Sequence, residues 1–282
     1  MKASFIRQKY AGGVLGQGTH GTITVNPKND ALVVKSYTDD TTKHKYRMGS
    51  CFVDTDVASN TCGVAKMEYN VQEYISNRFA QADISIVVPS VSDFSQSANK
   101  CSYSMDRIFP LDDNGIIIVN MYEPSANRVF SHSASGIELG SANIPWTEYG
   151  YKDGAEFAYE LGSMFSYLHY VMNMDGYDCE LLLGQVLGTP RAFLIDFDKV
   201  SCLKYTLGET VHRKLDESTY EPKELKTVKK YALFLFTAMI SMSLIPVGTL
   251  QPSFIQGYQV YVPDGMKSEI AQHVIQLIQE YE

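Results

Sequence analysis

Between residues 175 and 198 the chain reads Asp175-Gly176-Tyr177-Asp178-Cys179-Glu180-Leu181-Leu182-Leu183, then the turn Gly188-Thr189-Pro190-Arg191, then Ala192-Phe193-Leu194-Ile195-Asp196-Phe197-Asp198. Two short apolar runs around a Gly/Pro turn spell a β-hairpin. Glu180 stands five residues after Asp175 and directly before the first strand, and Asp196 ends the second. Pairing the strands therefore brings three carboxylates to one end of the hairpin. Like charges at that spacing are costly to hold together without a cation, and hard oxygen ligands suit Mg²⁺ bound together with nucleotide phosphates. The competing reading is a solvated acidic loop.

The N-terminal third supplies a second constellation. Gly16-Gln17-Gly18-Thr19-His20-Gly21 precedes the β-prone run Ile23-Thr24-Val25, and its backbone amides could approach phosphates without side-chain obstruction. The turn Asn26-Pro27-Lys28-Asn29-Asp30 joins that run to Ala31-Leu32-Val33-Val34, with Lys35 expected at the end of the second strand. A lysine there loses solvation unless it finds an anion. Val64, Met67, Val71, Tyr74 and Ile75 recur at helical spacing over Val64 to Phe79. This helix carries Glu68, the expected ion-pair partner of Lys35, and Glu73, the alternative. A glycine-rich turn followed by a strand lysine is the order of a lid over phosphates and the residue that grips them.

Extended segments are expected over Ile84 to Val91, Cys101 to Met105 and Gly115 to Met121. Helices are expected over Ala155 to Met172, across the apolar run after Lys230, and from Met266 to Tyr281. Strand-rich first and helix-rich second is an α+β order, with a boundary near Asp106 to Pro110. The apolar run Ala232 to Val247 is shorter than the roughly 20 residues of a membrane span and is closed by Pro246, so a buried helix is predicted and no membrane partner.

A net charge of -8 and a pI near 5.3 argue against a nucleic-acid-coating function, which needs clustered Lys and Arg. The five cysteines are scattered and without a CxxC pair, which fits a reducing compartment. The first residues, Met1 to Gln8, have no apolar stretch like a secretion signal, so a cytoplasmic or nuclear location is expected.

Taken in order, these residues resemble the protein-kinase superfamily. The likeness runs through the glycines Gly16, Gly18 and Gly21, the strand lysine Lys35, the helix acid Glu68, a hinge after Met105, the loop aspartate Asp175 and the metal positions Glu180 and Asp196. It ends in the apolar helix from Tyr231 to Leu244. The details look closest to an uncharacterised, largely fungal kinase-like family with an Asp-x-x-Asp-x-Glu loop, ending in Leu-Gly, and an Asp-Phe-Asp metal motif. The resemblance implies a two-lobed fold, an antiparallel-sheet N-lobe over 1-105 and a mainly helical C-lobe over 106-282, with ATP and Mg²⁺ as cofactors. It further implies that Asp175 orients or deprotonates an acceptor hydroxyl, that Glu180 and Asp196 hold Mg²⁺ and that Lys35 grips the α- and β-phosphates. Backbone groups around Asp106 to Ile108 would meet adenine. The chain departs from the superfamily pattern at Asn173-Met174, which replace the usual His-Arg, at Glu180 in the usual asparagine position, and at Asp198 in place of glycine. It also lacks an Ala-Pro-Glu anchor for a peptide platform; Tyr220-Glu221-Pro222 is a faint echo of one. Two functions are therefore expected from the resemblance: a phosphotransferase acting on an unknown acceptor, protein or small molecule, or a pseudokinase scaffold that keeps the fold without the transfer step.

Overall fold

A computed structural model describes residues 13–17, 21–38, 61–97, 100–112, 115–122, 128–133, 136–141, 143–200 and 225–281. The chain is α+β, with two five-stranded antiparallel sheets and a set of packed helices.

The first sheet contains β1 (Val14–Gln17), β2 (Gly21–Val25), β3 (Leu32–Thr38), β4 (Val91–Ser97) and β5 (Lys100–Asp106), in the spatial order β1-β2-β3-β5-β4. The β2–β3 connection is built by asparagine side chains: Asn26 Oδ1 accepts the Lys28 N–H and Asn29 Oδ1 accepts the Ala31 N–H. Such local bonds offer the backbone a turn in place of a ladder. Lys35 lies inside β3 and not at its end, paired between Ile23 and Tyr103, because the strand runs on to Thr38.

Helix α1 (Thr61–Gln81) crosses between β3 and β4 and packs on this sheet. Its apolar positions at three- and four-residue spacing, Val64, Met67, Val71, Ile75 and Phe79, are buried. Each side chain of this size contributes about 1.5–3 kcal/mol when fully buried. The helix stops where Asp83 enters the left-handed region at φ 54°. The strand expected over Ile84 to Val91 does not form. Ile86 and Val88 are buried in the main core, and Val87 makes a single parallel bridge opposite Phe193, giving its N–H to Ala192 O and accepting the Leu194 N–H, each at 2.9 Å. This segment ties the end of α1 to the second sheet instead of joining either ladder.

The second sheet has the order β10-β9-β6-β7-β8, from β6 (Ile116–Ile118), β7 (Arg128–Ser133), β8 (Gly136–Ser141), β9 (Glu180–Val186) and β10 (Thr189–Ile195). The expected β9–β10 hairpin is present, but its turn is the two residues Leu187-Gly188, both at positive φ (51° and 79°). That conformation follows the right-handed twist of the strands. The β7–β8 hairpin, which widens the sheet beside β6, has no counterpart in the sequence expectations.

Asp153 caps helix α2 (Gly154–Ser166) by accepting the N–H groups of Ala155 and Glu156 at 2.9 Å. The helix continues into a wider π-turn, Tyr167–Val171. Helices α3 (Leu225–Ser241), α4 (Gln251–Tyr258) and α5 (Met266–Gln279) complete the core. Helices α2 and α4 cross at Gly162 and Gly257, whose Cα atoms lie so close to the opposite backbone that a methyl group at either would fall on Phe254 O or Tyr159 O. One large core joins α1, the Ile86–Val88 segment, the second sheet and these helices. A separate small cluster, Tyr37, Cys62, Ala65, Cys101 and Tyr103, lies between the N-terminal end of α1 and the first sheet. No described helix is long and apolar enough to cross a membrane.

Candidate functional site

Three chain segments meet at Lys35. The strand alternation of β3 turns Lys35 and Tyr37 to one face, and α1 presents Glu68 to it. Lys35 Nζ lies 2.7 Å from Glu68 Oε1 and 2.9 Å from Asp196 Oδ1, which follows β10 directly. These partners are 33 and 161 residues away in sequence. Lys35 is 12% exposed, Glu68 1% and Asp196 38%. Burial acts to strip the proton from Lys35, but the carboxylates of Glu68 and Asp196 outweigh it and hold the ammonium well above its ordinary range. Burial pushes Glu68 up to about 7 against the pull of Lys35, and the nearby charge of Asp196 adds to the rise. The Tyr37 hydroxyl donates to Glu68 Oε2. Beside it the Tyr103 phenol is raised well above its usual range by burial and by the carboxylates of Glu68 and Asp196. The alternative partner, Glu73, lies on the exposed face of α1, where Tyr69 Oη is its contact at 3.5 Å.

The hairpin geometry brings Glu180 and Asp196 together. Glu180 opens β9 and pairs with Ile195, the residue before Asp196. Partial desolvation, with Asp196 and Asp178 nearby, raises the Glu180 carboxyl above its ordinary value. A cavity of about 230 Å³ opens here, lined by Asp178, Glu180, Asp196, Arg128, Asn120 and Ser243 among others. Asp178 is bonded to Lys199, and both side chains are partly exposed. Asn173, Asp178 and Asp196 all occupy the left-handed region, at φ 54°, 64° and 65°. Such positions cost of order 1 kcal/mol or more and gather where a site requires a fixed backbone. Among the described residues no group of three or more His, Cys, Asp or Glu side chains is arranged as a metal cage. A pair of carboxylates that shares its ion with phosphates needs no such cage, since Mg²⁺ keeps most of its coordination for water and phosphate oxygens.

Asp175 is not among the residues that line that cavity. It is 1% exposed, and its Oδ1 accepts the Tyr177 N–H at 3.0 Å. Its carbonyl accepts a bond from His169 Nε2 at 3.3 Å, while His169 Nδ1 accepts from Tyr258 Oη at 2.7 Å, and Tyr258 meets Tyr170 Oη at 2.9 Å. These roles assign the neutral Nε2–H tautomer. Burial holds the His169 imidazole down at about 3. The π-turn that carries His169 and Tyr170 thus braces the Asp175 loop from behind.

Gly16 lies in β1 with open space where a Cβ would stand, and Gly21 opens β2 against Ser36 O. Among the described residues nothing accounts for glycine at position 16. Gly18 falls outside the described residues. At the end of β5 the Asp106 N–H is already bonded to Ser90 O at 3.0 Å, and the next residue, Arg107, gives its N–H to Ala31 O. Ile108 has neither backbone group engaged among the described residues. Phe109 is fastened to Gln185 by two bonds of 2.8 Å.

Comparison with protein-family models and with curated proteins finds no match. The sequence reading missed Tyr37, which the two-residue alternation from Lys35 identifies. It also missed Arg128, Lys199 and the bond between Cys62 and Cys101. No local pattern marks these, since each depends on a distant partner.

Proposed function

We propose that the chain has a two-lobed protein-kinase-like fold, with lobes 1-105 and 106-282, and that it binds ATP with Mg²⁺ between them. The observation that carries this reading is the single ammonium of Lys35 held at once by Glu68 of α1 and by Asp196 after β10. A strand lysine tied to a helix acid and aimed at a metal-type aspartate is an arrangement that positions and neutralises phosphates, and most of phosphoryl-transfer catalysis consists of those two effects. In this reading Lys35 exchanges its contact with Asp196 for phosphate oxygens. Asp196 and Glu180 are the residues that would hold Mg²⁺, which would supply charge neutralisation at the phosphates. Gly16, Gly18 and Gly21 would cover the phosphates, and Ile108 would meet the base. Asp175 would orient an acceptor hydroxyl.

A second reading, a pseudokinase scaffold, is favoured by the burial of Asp175, which leaves its carboxylate out of the cavity that Asp178, Glu180 and Asp196 line. One experiment separates the two. The purified chain is heated with ATP and Mg²⁺ to measure stabilisation by ligand, and incubated with labelled ATP to detect product. Stabilisation that disappears in Lys35→Ala and Asp196→Ala is expected under both readings, and product formation under the first alone. No stabilisation by any nucleotide, with or without Mg²⁺, would refute both.

A further inference from the structure

We propose that Cys62 and Cys101 form a reversible thiol–disulfide site whose state sets how firmly Glu68 is held against Lys35. The regulatory part of this proposal rests on the nucleotide-site reading; the chemical part does not. The two cysteines are bonded, with their Cα atoms 5.5 Å apart. Cys62 is the second residue of α1 and Cys101 the second of β5. In the ladder Cys101 pairs with Tyr37, and Tyr103 pairs with Lys35. Tyr37 in turn donates to Glu68. The bond therefore fastens the helix that carries Glu68 to the strand lying against both of the β3 residues that Glu68 contacts.

The surrounding packing explains why a covalent link matters at this place. The large core takes hold of α1 from Met67, the neighbour of Glu68, onward through Val71, Ile75 and Phe79. The near end rests on the five-residue cluster of Tyr37, Cys62, Ala65, Cys101 and Tyr103, which is separate from that core. A cluster so small buries little apolar area, and links that close a loop do most where the core is thin. The sequence separation closed here is 39 residues. Glu68 lies six residues beyond Cys62, about 9 Å along the helix axis at 1.5 Å per residue. Glu68 thus stands at the border between the first turns of α1, held by the small cluster, and the part gripped by the large core from Met67 on. Loosening those turns acts on the ion pair from its N-terminal side.

The same placement lets a reductant in. Both sulfurs are buried, and Cys101 is paired on both sides, with Tyr37 and Gln96, but Cys62 belongs to the first turn of α1, a helix end, where local opening is least costly. A dithiol, small or protein-borne, attacks one sulfur as its thiolate; the Cys62–Cys101 bond breaks and a mixed disulfide forms. The second thiol of the reductant then displaces the remaining cysteine. Two electrons and two protons pass to the chain, which gains two thiols, and the reductant leaves as a disulfide. Cys179, the free cysteine among the described residues, is buried elsewhere, and burial with the surrounding carboxylates keeps it protonated, so it does not compete.

The test uses the full chain in two states, oxidised and treated with dithiothreitol, without nucleotide. Alkylation under denaturing conditions followed by peptide mass analysis is expected to show Cys62 linked to Cys101 in the first state and all five cysteines alkylated in the second. Amide hydrogen exchange in residues 61–72 is expected to be at least about tenfold faster after reduction, with 154–166 and 251–258 unchanged. A Cys62→Ser variant should match the reduced wild type in either condition. Absence of the Cys62–Cys101 link after oxidation, or equal exchange of α1 in the two states, overturns the proposal. Stabilisation by ATP and Mg²⁺ is measured in both states and should be greater in the oxidised one. A link and an exchange change without nucleotide stabilisation in either state uphold the latch and refute the nucleotide reading.

Discussion

Replacing Glu68 by glutamine removes a buried carboxyl while keeping its size and an oxygen to accept from Lys35, which isolates the effect of one titration. Burial, with Asp196 adding to it, lifts this carboxyl from 4.5 to about 7. Because the folded state then binds the proton more tightly than the unfolded one, protonation of Glu68 stabilises the fold. That contribution is complete below pH 4.5 and is lost as the pH rises through about 7. At about 1.4 kcal/mol per pH unit of displacement it amounts to about 3 kcal/mol. His169 works in the opposite sense: its imidazole is held near 3, so the stability of the neutral form is present above pH 6.5 and is lost as the pH falls toward 3. The two effects oppose each other between pH 4.5 and 6.5, and the wild-type curve alone is uninformative there. Since His169 is common to both proteins, it cancels in their difference. The stability of Glu68→Gln relative to wild type should therefore rise by about 3 kcal/mol between pH 4.5 and 8, seen as a relative gain of about 6–10 °C in Tm by differential scanning fluorimetry. A constant gap across that range, or a gap moving the other way, would refute the reasoning, because it would mean that pairing with Lys35 keeps Glu68 ionised throughout.

Lys35→Ala leaves Glu68 and Asp196 facing each other without a cation. It should cost about 3 kcal/mol at pH 8 and clearly less at pH 5, where Glu68 takes up a proton, as measured by urea denaturation at the two pH values. His169→Gln keeps a donor and an acceptor between Tyr258 and the Asp175 carbonyl but cannot titrate, so its loss of stability from pH 6.5 toward pH 4 should be shallower than that of wild type in the same denaturation series. Gly257→Ala would press a methyl group onto Tyr159 O where α2 and α4 cross; a loss of several kcal/mol, about 3 or more, is expected. Gly16→Ala, with open space at its Cβ, should by contrast change the Tm by no more than about 2 °C, equivalent to roughly 0.5 kcal/mol.

Much of the site could be read in one dimension because the signals that carry it are local. Alternation and helical spacing mark β3 and α1, and a Gly/Pro turn between two apolar runs marks the hairpin that brings Glu180 next to Asp196. The expected strand over Ile84 to Val91 failed because a short apolar run looks the same whether it joins a ladder or plugs a core. Ile86 and Val88 do the second. The β7–β8 hairpin was not legible, since its polar and glycine-containing residues carry no strong strand pattern.

What the sequence settled by itself, then, was the α+β order and the presence of a strand lysine, a helix acid and an acidic hairpin, all properties of spacing within about twenty residues. Only tertiary packing decided that Glu68 and not Glu73 meets Lys35, that Asp175 is enclosed while Asp178 stands in the cavity, and that Cys62 reaches Cys101. Burial and pairing between distant segments are properties of how faces meet in space, and the periodicity of a single element does not encode them.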